Sequence, residues 1–194
     1  AAKDVIRDLL EGYTVMDALS HYEFYESGAL ETPIPSNNSI EPFIANNVPN
    51  LWVYYCCGQH TGTSNRFISM PSWRTRAIGV QCFKYDIAGF LQWGYNFWYK
   101  QLSRGVIDPF KVADAGALPD GSCGFPAGDA FSVYPGDDKA IESLRLKVFK
   151  EALQDISAMK LLEKYMPVKI DALGSVTGST DGEGVHILLD AHLD

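Results

Sequence analysis

Hydrophobic residues along the chain fall into four short runs of strand length, separated by polar stretches or by stretches rich in glycine and proline. Two of these runs are continuous, "LWVYYCC" from Leu51 and "IAGFLQWGY" from Ile87, as is typical of strands buried on both faces. Two others are weaker: "YTVMDALSHYEFY", taken as a strand with its exit loop, and "AFSVYPG". We therefore predict four strands, with "ETPIPSNNS" as a turn-rich linker after the first.

Between these runs, apolar residues recur at helical spacing. A first helix is predicted at the start of the chain and ends at Gly12, and a short one at "SIEPFIANN" has Ser39 as its N-cap and Pro42 in its first turn. The next, "MPSWRTRAIGVQCFKYD", is capped by Ser69, and its expected buried stripe is Trp73, Ala77, Val80 and Phe83.

The longest helix is predicted from about Lys139 to Tyr165. Acidic residues stand near its start and lysines near its end, which matches the helix dipole. Its expected inner face consists of Ile141, Leu144, Val148, Ala152, Ile156 and Met159. The tail that follows has no helical period, and we predict that "VKIDALGSV" and "GVHILLD" pair as a β-hairpin.

The regular alternation of helices with strands buried on both faces predicts an α/β fold with parallel strands. A closed eight-stranded barrel usually needs about 250 residues. The chain has 194 residues and four visible strands, so it fits either a small open sheet or one half of a barrel. Because the first predicted helix begins at Ala1 without a cap, we expect that the sequence was cut from a longer protein.

The net charge limits the possible partners of the protein, and the cysteines bear on its location in the cell. The formal net charge is −8, so nucleic acid and anionic membranes are not expected partners, and no apolar run reaches membrane-spanning length. No CxxC spacing occurs among the four cysteines, which are therefore expected to be free thiols. Free thiols slightly favour a cytoplasmic location for a soluble protein. The four are Cys56, Cys57, Cys82 and Cys123.

The stretch "GFLQWGYNFWYKQ" concentrates aromatic rings and amides at the end of a predicted strand. In parallel α/β folds, functional groups collect at the carboxyl ends of the strands. Stacking rings together with hydrogen-bonding amides are suited to a neutral polar ring such as a sugar. The same rings could instead cap the mouth of a barrel, and the pattern alone leaves both interpretations open.

Two other groups of residues resemble catalytic or metal sites. His21, Glu23 and Glu26 have the residue types of an acid–base group, although a solvated loop with local ion pairs explains them better. A metal site built from His60, Cys56 and Cys57 is disfavoured, because adjacent cysteines on one strand point to opposite faces. We predict no metal and no cofactor. Phosphate-binding, nucleophile-elbow and dinucleotide motifs are absent from the sequence.

Five stretches carry a resemblance to one family, in the same order along the chain: "VMDALSHYEFYESG", "PNLWVYYCCGQ", "SNRFISMPSWRTRAIGVQCFKYDIAGFLQWGYNFWY", "GDAFSVYPG" and "ESLRLKVFKEALQDISAMKLLEKY". Together they resemble the catalytic-domain family of unknown function related to glycoside hydrolase family 123. The resemblance implies a (βα)8 barrel. Residues 1–166 would then form its carboxyl-terminal half, about strands five to eight, and residues 167–194 an extension.

The best-understood members of that family look like retaining β-N-acetylgalactosaminidases, and the resemblance implies their mechanism. In it, the substrate's own acetamido oxygen attacks the anomeric carbon. An adjacent Asp-Glu pair assists: the Asp orients the acetamido group and the Glu protonates the leaving oxygen. Such substrate assistance is an exception to the usual scheme with two carboxylates.

This sequence departs from the pattern because it contains no Asp-Glu dipeptide. The family has that pair near the end of strand four, which would lie just before Ala1. We therefore assign no catalytic residue to this chain and predict that it does not hydrolyse glycosides by itself.

The substrate-binding residues expected at the barrel mouth are Tyr54, Tyr55, Gln92, Trp93, Tyr95 and Asn96. Arg66 and Asp129 are expected to hold the long irregular segment in place, although a purely structural ion pair explains them equally well. The expected partners are an N-acetylhexosamine glycan and the missing half of the barrel, or a second copy of the chain. Two alternatives remain, a non-catalytic carbohydrate-binding module and a structural or interaction domain.

Overall fold

The computed structural model describes residues 7–100, 103–115, 124–165, 168–172 and 175–178. A single 3-10 turn at Arg7–Leu10 precedes Gly12, whose positive φ of 84° ends it. The α-helices are α1 (Tyr22–Glu26), α2 (Glu41–Ala45), α3 (Ser72–Lys84) and α4 (Leu144–Glu163). The strands are β1 (Met16–Asp17), β2 (Thr32–Pro33), β3 (Trp52–Tyr54), β4 (Gly89–Leu91), β5 (Val133–Tyr134), β6 (Ile141–Glu142), β7 (Val168–Ala172) and β8 (Ser175–Gly178).

The first four strands form two parallel pairs, each a two-stranded sheet, and follow one another in chain order. β1 pairs with β2, and β3 pairs with β4 in the register Trp52–Gly89, Val53–Phe90 and Tyr54–Leu91. A parallel bridge between Ser36 and Tyr54 joins the segment after β2 to β3. Since one of the helices α1, α2 and α3 lies between each successive pair of strands, the region has the repeated strand–helix order that the sequence predicts.

Three strand predictions differ from the structure. The stretch "ETPIPSNNS" is more than a linker, because it contains β2 and the bridge at Ser36. The exit loop of the first strand contains the short helix α1. The strand in "AFSVYPG" is present, but β5 pairs antiparallel with β6 and not with the parallel strands. β2 was not predicted because its stretch contains two prolines, and proline normally marks a turn or the edge of a sheet.

The tail also differs from its prediction. β7 and β8 pair antiparallel with each other, so both strands of this hairpin lie within or directly after "VKIDALGSV". The predicted partner, "GVHILLD", lies outside the described residues.

The main core lies between the strands and helices α2, α3 and α4. Val53 and Tyr55 from the β3 region pack with Phe43, Ile78 and Ala152. Helix α3 approaches α4 closely at Gly79, where a Cβ atom would collide with the backbone carbonyl of Ala152. This contact sets which side of α3 is buried.

The buried stripe predicted for α3 is wrong. The face that packs inward consists of Thr75, Ile78, Gly79 and Cys82, whereas Trp73 is exposed and Ala77, Val80 and Phe83 are only half-buried. The helix contact with α4 requires a glycine at position 79. The side of α3 that carries Gly79 is therefore buried, in place of the predicted stripe that contains Trp73 and Phe83. The predicted caps are also absent: Pro71 and Ile40 precede the two helices, and neither makes a capping side-chain bond.

Helix α4 begins later than predicted, after Ser143, whose side chain accepts a hydrogen bond from the backbone amide of Leu146. Ile141 therefore belongs to β6, and both it and Leu144 are exposed, contrary to the expected inner face. The rest of that face is confirmed, because Val148, Ala152 and Met159 are buried and Ile156 packs against the core.

A second, smaller core lies where the chain leaves β4. Ile107, Ala115, Ala130 and Phe131 are buried there, and they are flanked by Trp93, Phe97 and Trp98. Within the described residues, no helix combines the length and the apolar character needed to cross a membrane.

Candidate functional site

The candidate site lies where the chain leaves the carboxyl ends of β3 and β4. Tyr55 directly follows β3, and Gln92–Trp98 follow β4. The segment after β4 runs antiparallel to the stretch before β5, with a bridge between Asn96 and Phe131 and a bond from the Ser132 amide to the Tyr95 carbonyl. This pairing brings Asp129, at the end of the long irregular segment, next to the two strand ends.

Arg66 links these pieces together. The residue is 2% exposed. Its Nη2 atom donates hydrogen bonds to the backbone carbonyl of Gly94, at 3.1 Å, and to that of Asp129. Its guanidinium carbon lies 5.5 Å from the centre of the Tyr55 ring. Burial lowers the pKa of Arg66, although arginine remains charged at any physiological pH. The bond to the Asp129 carbonyl ties Arg66 to the end of the long irregular segment, as expected, and the bond to Gly94 ties it to the segment after β4.

Asp129 is completely buried and faces the same cation. One carboxylate oxygen lies 4.0 Å from Nη2 of Arg66. Burial raises the pKa of Asp129 to about 6, and the charge of Arg66, the indole N–H of Trp93 and His60 partly oppose that rise. A carboxyl group with a pKa in this range changes protonation state close to neutral pH.

Tyr55 is buried as deeply as Asp129. Burial raises the pKa of its hydroxyl to about 12, so the group stays protonated and can donate a hydrogen bond. Its ring packs against Phe90, with ring centres 4.7 Å apart.

Within the described part of the chain, several buried polar atoms of this group make no hydrogen bond of ordinary geometry, although the Trp93 N–H acts on the Asp129 carboxylate and Arg66 acts on the Tyr55 hydroxyl strongly enough to shift their pKa values. They are the Tyr55 hydroxyl, Nε and Nη1 of Arg66, Nε1 of Trp93 and both carboxylate oxygens of Asp129. Buried donors and acceptors are almost always paired, because an unpaired one costs about 1–3 kcal/mol. We call Tyr55, Arg66, Trp93 and Asp129 the polar cluster. Its unpaired atoms are suited to ordered water or to a ligand's hydroxyl groups.

The structure brings together some of the six residues expected at the mouth. Tyr55 and Trp93 belong to the polar cluster. Tyr54 alternates with Val53 along β3, so its side chain lies on the face opposite the buried Val53. The side-chain amide of Gln92 donates a hydrogen bond to the Gly94 carbonyl at 3.4 Å. Tyr95 and Asn96, which follow Gly94, are exposed.

The acid–base group considered above is a surface feature. His21 Nδ1 lies 3.3 Å from Glu23 Oε1, with both side chains about two-thirds or more exposed at the start of α1. Neither His21 nor Glu23 lines the groove beside β1. This geometry agrees with a solvated local ion pair.

Cys56 and Cys57 do not lie on a strand, contrary to the prediction. β3 ends at Tyr54, so Cys56 and Cys57 lie in the turn after the strand and the alternation of side chains along a strand does not apply to them. Cys56, Cys57 and Cys82 are free thiols. Among the described residues, no group of three or more His, Cys, Asp or Glu side chains could hold a metal ion.

Sequence reasoning missed that the four members of the polar cluster form one group. The feature of the sequence that could have revealed this grouping is Gly94. A Cβ atom at Gly94 would lie 2.7 Å from the Ala130 carbonyl oxygen, so the backbone after β4 can approach Ala130 only because this residue is glycine. A glycine between Trp93 and Tyr95, in a run otherwise rich in large side chains, indicates such a close approach.

Comparison with known proteins identifies the family of this chain. No curated protein matches the chain. The sequence model of the family described as "Glycoside hydrolase 123, catalytic domain" matches residues 1–162, which is most of the 194 residues. The chain therefore belongs to the glycoside hydrolase 123 catalytic domain family, whose substrates are carbohydrates.

Proposed function

We propose that this chain is part of a glycoside hydrolase-like protein that acts on N-acetylhexosamine-containing glycans by substrate-assisted, retaining hydrolysis. In this proposal the chain supplies substrate-binding residues, and an Asp-Glu pair outside these 194 residues supplies the catalysis. The observation that carries the proposal is the polar cluster at the strand ends, with its unpaired buried donors and acceptors. Family membership supports the carbohydrate class of the substrate.

The chemistry of the polar cluster suits sugar hydroxyl groups. A hydroxyl both donates and accepts, so it can donate to the Asp129 carboxylate while it accepts from Arg66 or from the Trp93 indole. Since these atoms are buried, we place ordered water between them and the sugar. The sugar itself would lie over the exposed Tyr95 and Asn96, which offer a ring for stacking and an amide for hydrogen bonding.

We further propose that residues 1–166 form the carboxyl-terminal half of a (βα)8 barrel. The support is the order of the first four strands, which are parallel, follow one another in sequence and are separated by helices. Strand ends are where such barrels carry their active sites. The polar cluster follows the third and fourth of these strands, in agreement with that rule.

Sugar binding tests the proposal directly. Titration of N-acetylgalactosamine into the 194-residue chain, followed by NMR chemical shifts, is expected to perturb residues around Tyr95. Tyr95→Ala removes an exposed ring without opening the core, and should raise Kd about tenfold, equivalent to about 1.4 kcal/mol. Tyr165→Ala is the matched control, because this tyrosine is exposed after the far end of α4. Equal weakening by both variants, or no binding by the unmodified chain, contradicts the proposed site.

Turnover tests the missing catalytic pair separately. We expect the 194-residue chain to release no phenol from an aryl N-acetyl-β-galactosaminide, because its sequence contains no Asp-Glu pair. The assay is the absorbance of the released phenolate over hours at high protein concentration. Measurable turnover that Glu23→Gln or Glu26→Gln abolishes would refute the assignment of catalysis to residues outside the chain, while leaving the binding site intact.

A second candidate function is favoured by the apolar face of β3 and β4. Trp52, Tyr54 and Leu91 lie there, opposite the core, and are only half-buried. A structural or interaction domain would use this face to bind the other half of a barrel or a second copy. This role is compatible with sugar binding at the strand ends.

A further inference from the structure

An exposed asparagine is held at the carboxyl ends of the parallel strands. Asn38 follows Ser36, whose backbone forms the parallel bridge to Tyr54 at the end of β3. The Oδ1 atom of Asn38 accepts hydrogen bonds from the Ser36 hydroxyl at 2.8 Å and from Nε2 of Gln59 at 3.3 Å. Most side-chain hydrogen bonds in proteins go to backbone or water. Two bonds from other side chains therefore fix the position of this exposed side chain.

The backbone determines which way the Asn38 amide points. The Cys56 amide N–H can only donate, so the atom of the Gln59 side chain that lies 2.8 Å from it is the oxygen, Oε1. Nε2 of Gln59 therefore faces Asn38 and requires an acceptor there, which is Oδ1. Since both donors bind the oxygen, Nδ2 of Asn38 points away from them and makes no hydrogen bond within the described residues. Asn38 thus presents its N–H donors to solvent in a fixed direction.

The residues behind Asn38 hold this arrangement in place. The Ser20 hydroxyl, which follows β1, accepts from the Ser36 amide at 3.0 Å and donates to the Ser36 hydroxyl at 3.1 Å. Ser36 and Gln59 are themselves buried. These residues follow β1, β2 and β3, at the strand ends where parallel α/β proteins bind their ligands. A donor that is fixed in advance loses less conformational entropy on binding than a mobile one.

Asn38 lies two strands away from the sugar site proposed at Tyr95. Ser36 pairs with Tyr54, and Tyr54 pairs with Leu91 of β4. Tyr95 follows Leu91 by four residues. Neighbouring strands are about 4.8 Å apart, so about 10 Å separates the segment that carries Asn38 from the end of β4. A single sugar ring is shorter than this distance, so a glycan that reaches both places contains more than one sugar.

We propose that Asn38 forms a second sugar-binding site, which binds the sugar next to the N-acetylhexosamine held over Tyr95. This inference rests on the proposed function and extends its ligand from one sugar to at least two. The Nδ2 hydrogens donate to an oxygen atom of the second sugar, because every hydroxyl and ring oxygen of a sugar is an acceptor.

Paired sugars test this second site. N-acetylgalactosamine and its β-(1→3)- and β-(1→4)-linked disaccharides with galactose are titrated separately into the 194-residue chain and followed by NMR. We expect at least one disaccharide to have a Kd about fivefold below that of the monosaccharide, which is the effect of one added hydrogen bond. The side-chain amide signal of Asn38, identified by its absence from the spectrum of Asn38→Asp, should shift with this disaccharide and not with the monosaccharide.

The variant Asn38→Asp separates sugar binding from a structural role. The carboxylate keeps an oxygen for the bonds from Ser36 and Gln59, but it replaces the outward donor with an acceptor. The Kd of the disaccharide should rise about fivefold or more, while that of the monosaccharide stays unchanged. Asn50→Asp is the matched control, because it makes the same change at an exposed position before the amino end of β3. It should leave both Kd values unchanged.

The outcomes distinguish the second site from the proposed function. Absence of binding by all three sugars overturns the proposed function and the second site with it. Binding of the monosaccharide with no gain from either disaccharide overturns the second site alone. The second site is also overturned if Asn38→Asp leaves the Kd of the disaccharide unchanged, weakens both classes of sugar equally, or has no more effect than Asn50→Asp.

Discussion

At the scale of the residue, Asp129 combines complete burial with a titration close to neutral pH. Its pKa is raised from 3.8 to about 6, mainly by burial. The folded protein therefore binds this proton more tightly than the unfolded chain does. The contribution of this proton to the free energy of unfolding is fully present below the pKa that the Asp129 carboxyl has in the unfolded chain. It is lost as the pH rises through about 6, the pKa in the folded protein.

Asp129→Asn removes this pH-dependent contribution. We expect the free energy of unfolding of the unmodified chain, relative to that of the variant, to fall by about 2–3 kcal/mol between pH 4 and pH 7.5. Urea unfolding at several pH values measures the difference. Asp138→Asn, at an exposed carboxyl group, is the control and should follow the unmodified chain. A difference that does not depend on pH would show that Asp129 is not titrating in this range.

Single residues also show what the sequence could predict about the site. Arg66 and Asp129 were predicted as candidates for holding the long irregular segment in place, and the structure shows Arg66 donating to the Asp129 carbonyl. Trp93 and Tyr55 were predicted at the mouth of a barrel from the resemblance to the family and from their places at the ends of predicted strands. Their burial was not predictable, because Tyr55 is buried by α3 and by Arg66, which come from later parts of the chain.

At the scale of the element, the contact between α3 and α4 depends on Gly79. An added methyl group would point into the Ala152 carbonyl, so the helices would have to move apart. Alanine is the better helix former by up to about 1 kcal/mol, which partly offsets this clash.

We expect Gly79→Ala to destabilise the chain by about 1–3 kcal/mol in spite of its better helix propensity, because overpacking a close helix contact displaces the backbone. The midpoint of urea unfolding measures this change. Gly58→Ala serves as the control, since an added Cβ there meets no atom within 4 Å. A stabilised Gly79→Ala variant would mean that the two helices do not approach as closely as described.

The same contact explains why some elements were predictable and others were not. Local signals located α3, β3, β4 and most of α4, whose start was predicted too early, since long helical periods and continuous apolar runs depend on nearby residues alone. The orientation of α3 was missed because it is set by a residue on α4, about 70 positions later in the chain. β2 was missed because its pairing with β1 and the bridge at Ser36 outweigh the turn preference of its prolines.

At the scale of the whole molecule, apolar surface remains exposed along the parallel strands. Beside β1, a groove of about 210 Å³ is lined by apolar residues that include Leu10, Met16 and Phe24, and Met16 is 40% exposed. Apolar patches next to a short strand with an unpaired edge are typical of surfaces that bind another chain.

We therefore expect the purified chain to self-associate, with a weight-average sedimentation coefficient that rises with concentration. Met16→Glu places a charge in the apolar groove and should shift the equilibrium toward monomer by about tenfold or more, equivalent to at least about 1.4 kcal/mol. Leu144→Glu is the matched control, because Leu144 is also exposed but lies at the start of α4. Monomeric behaviour at every concentration contradicts this expectation.

The two backbone bonds of Arg66 have a consequence for the order in which the protein opens. They connect Arg66 to carbonyls 28 and 63 positions later in the sequence. Closing loops of this length lowers the conformational entropy of the chain, and only the completed contacts offset that cost. The amide hydrogens that pair the segment after β4 with the stretch before β5 should therefore exchange with solvent as one cooperative unit, through an opening that leaves the packing of α3 on α4 intact. A single guanidinium thus joins the segment proposed to bind substrate to the loop that follows β3.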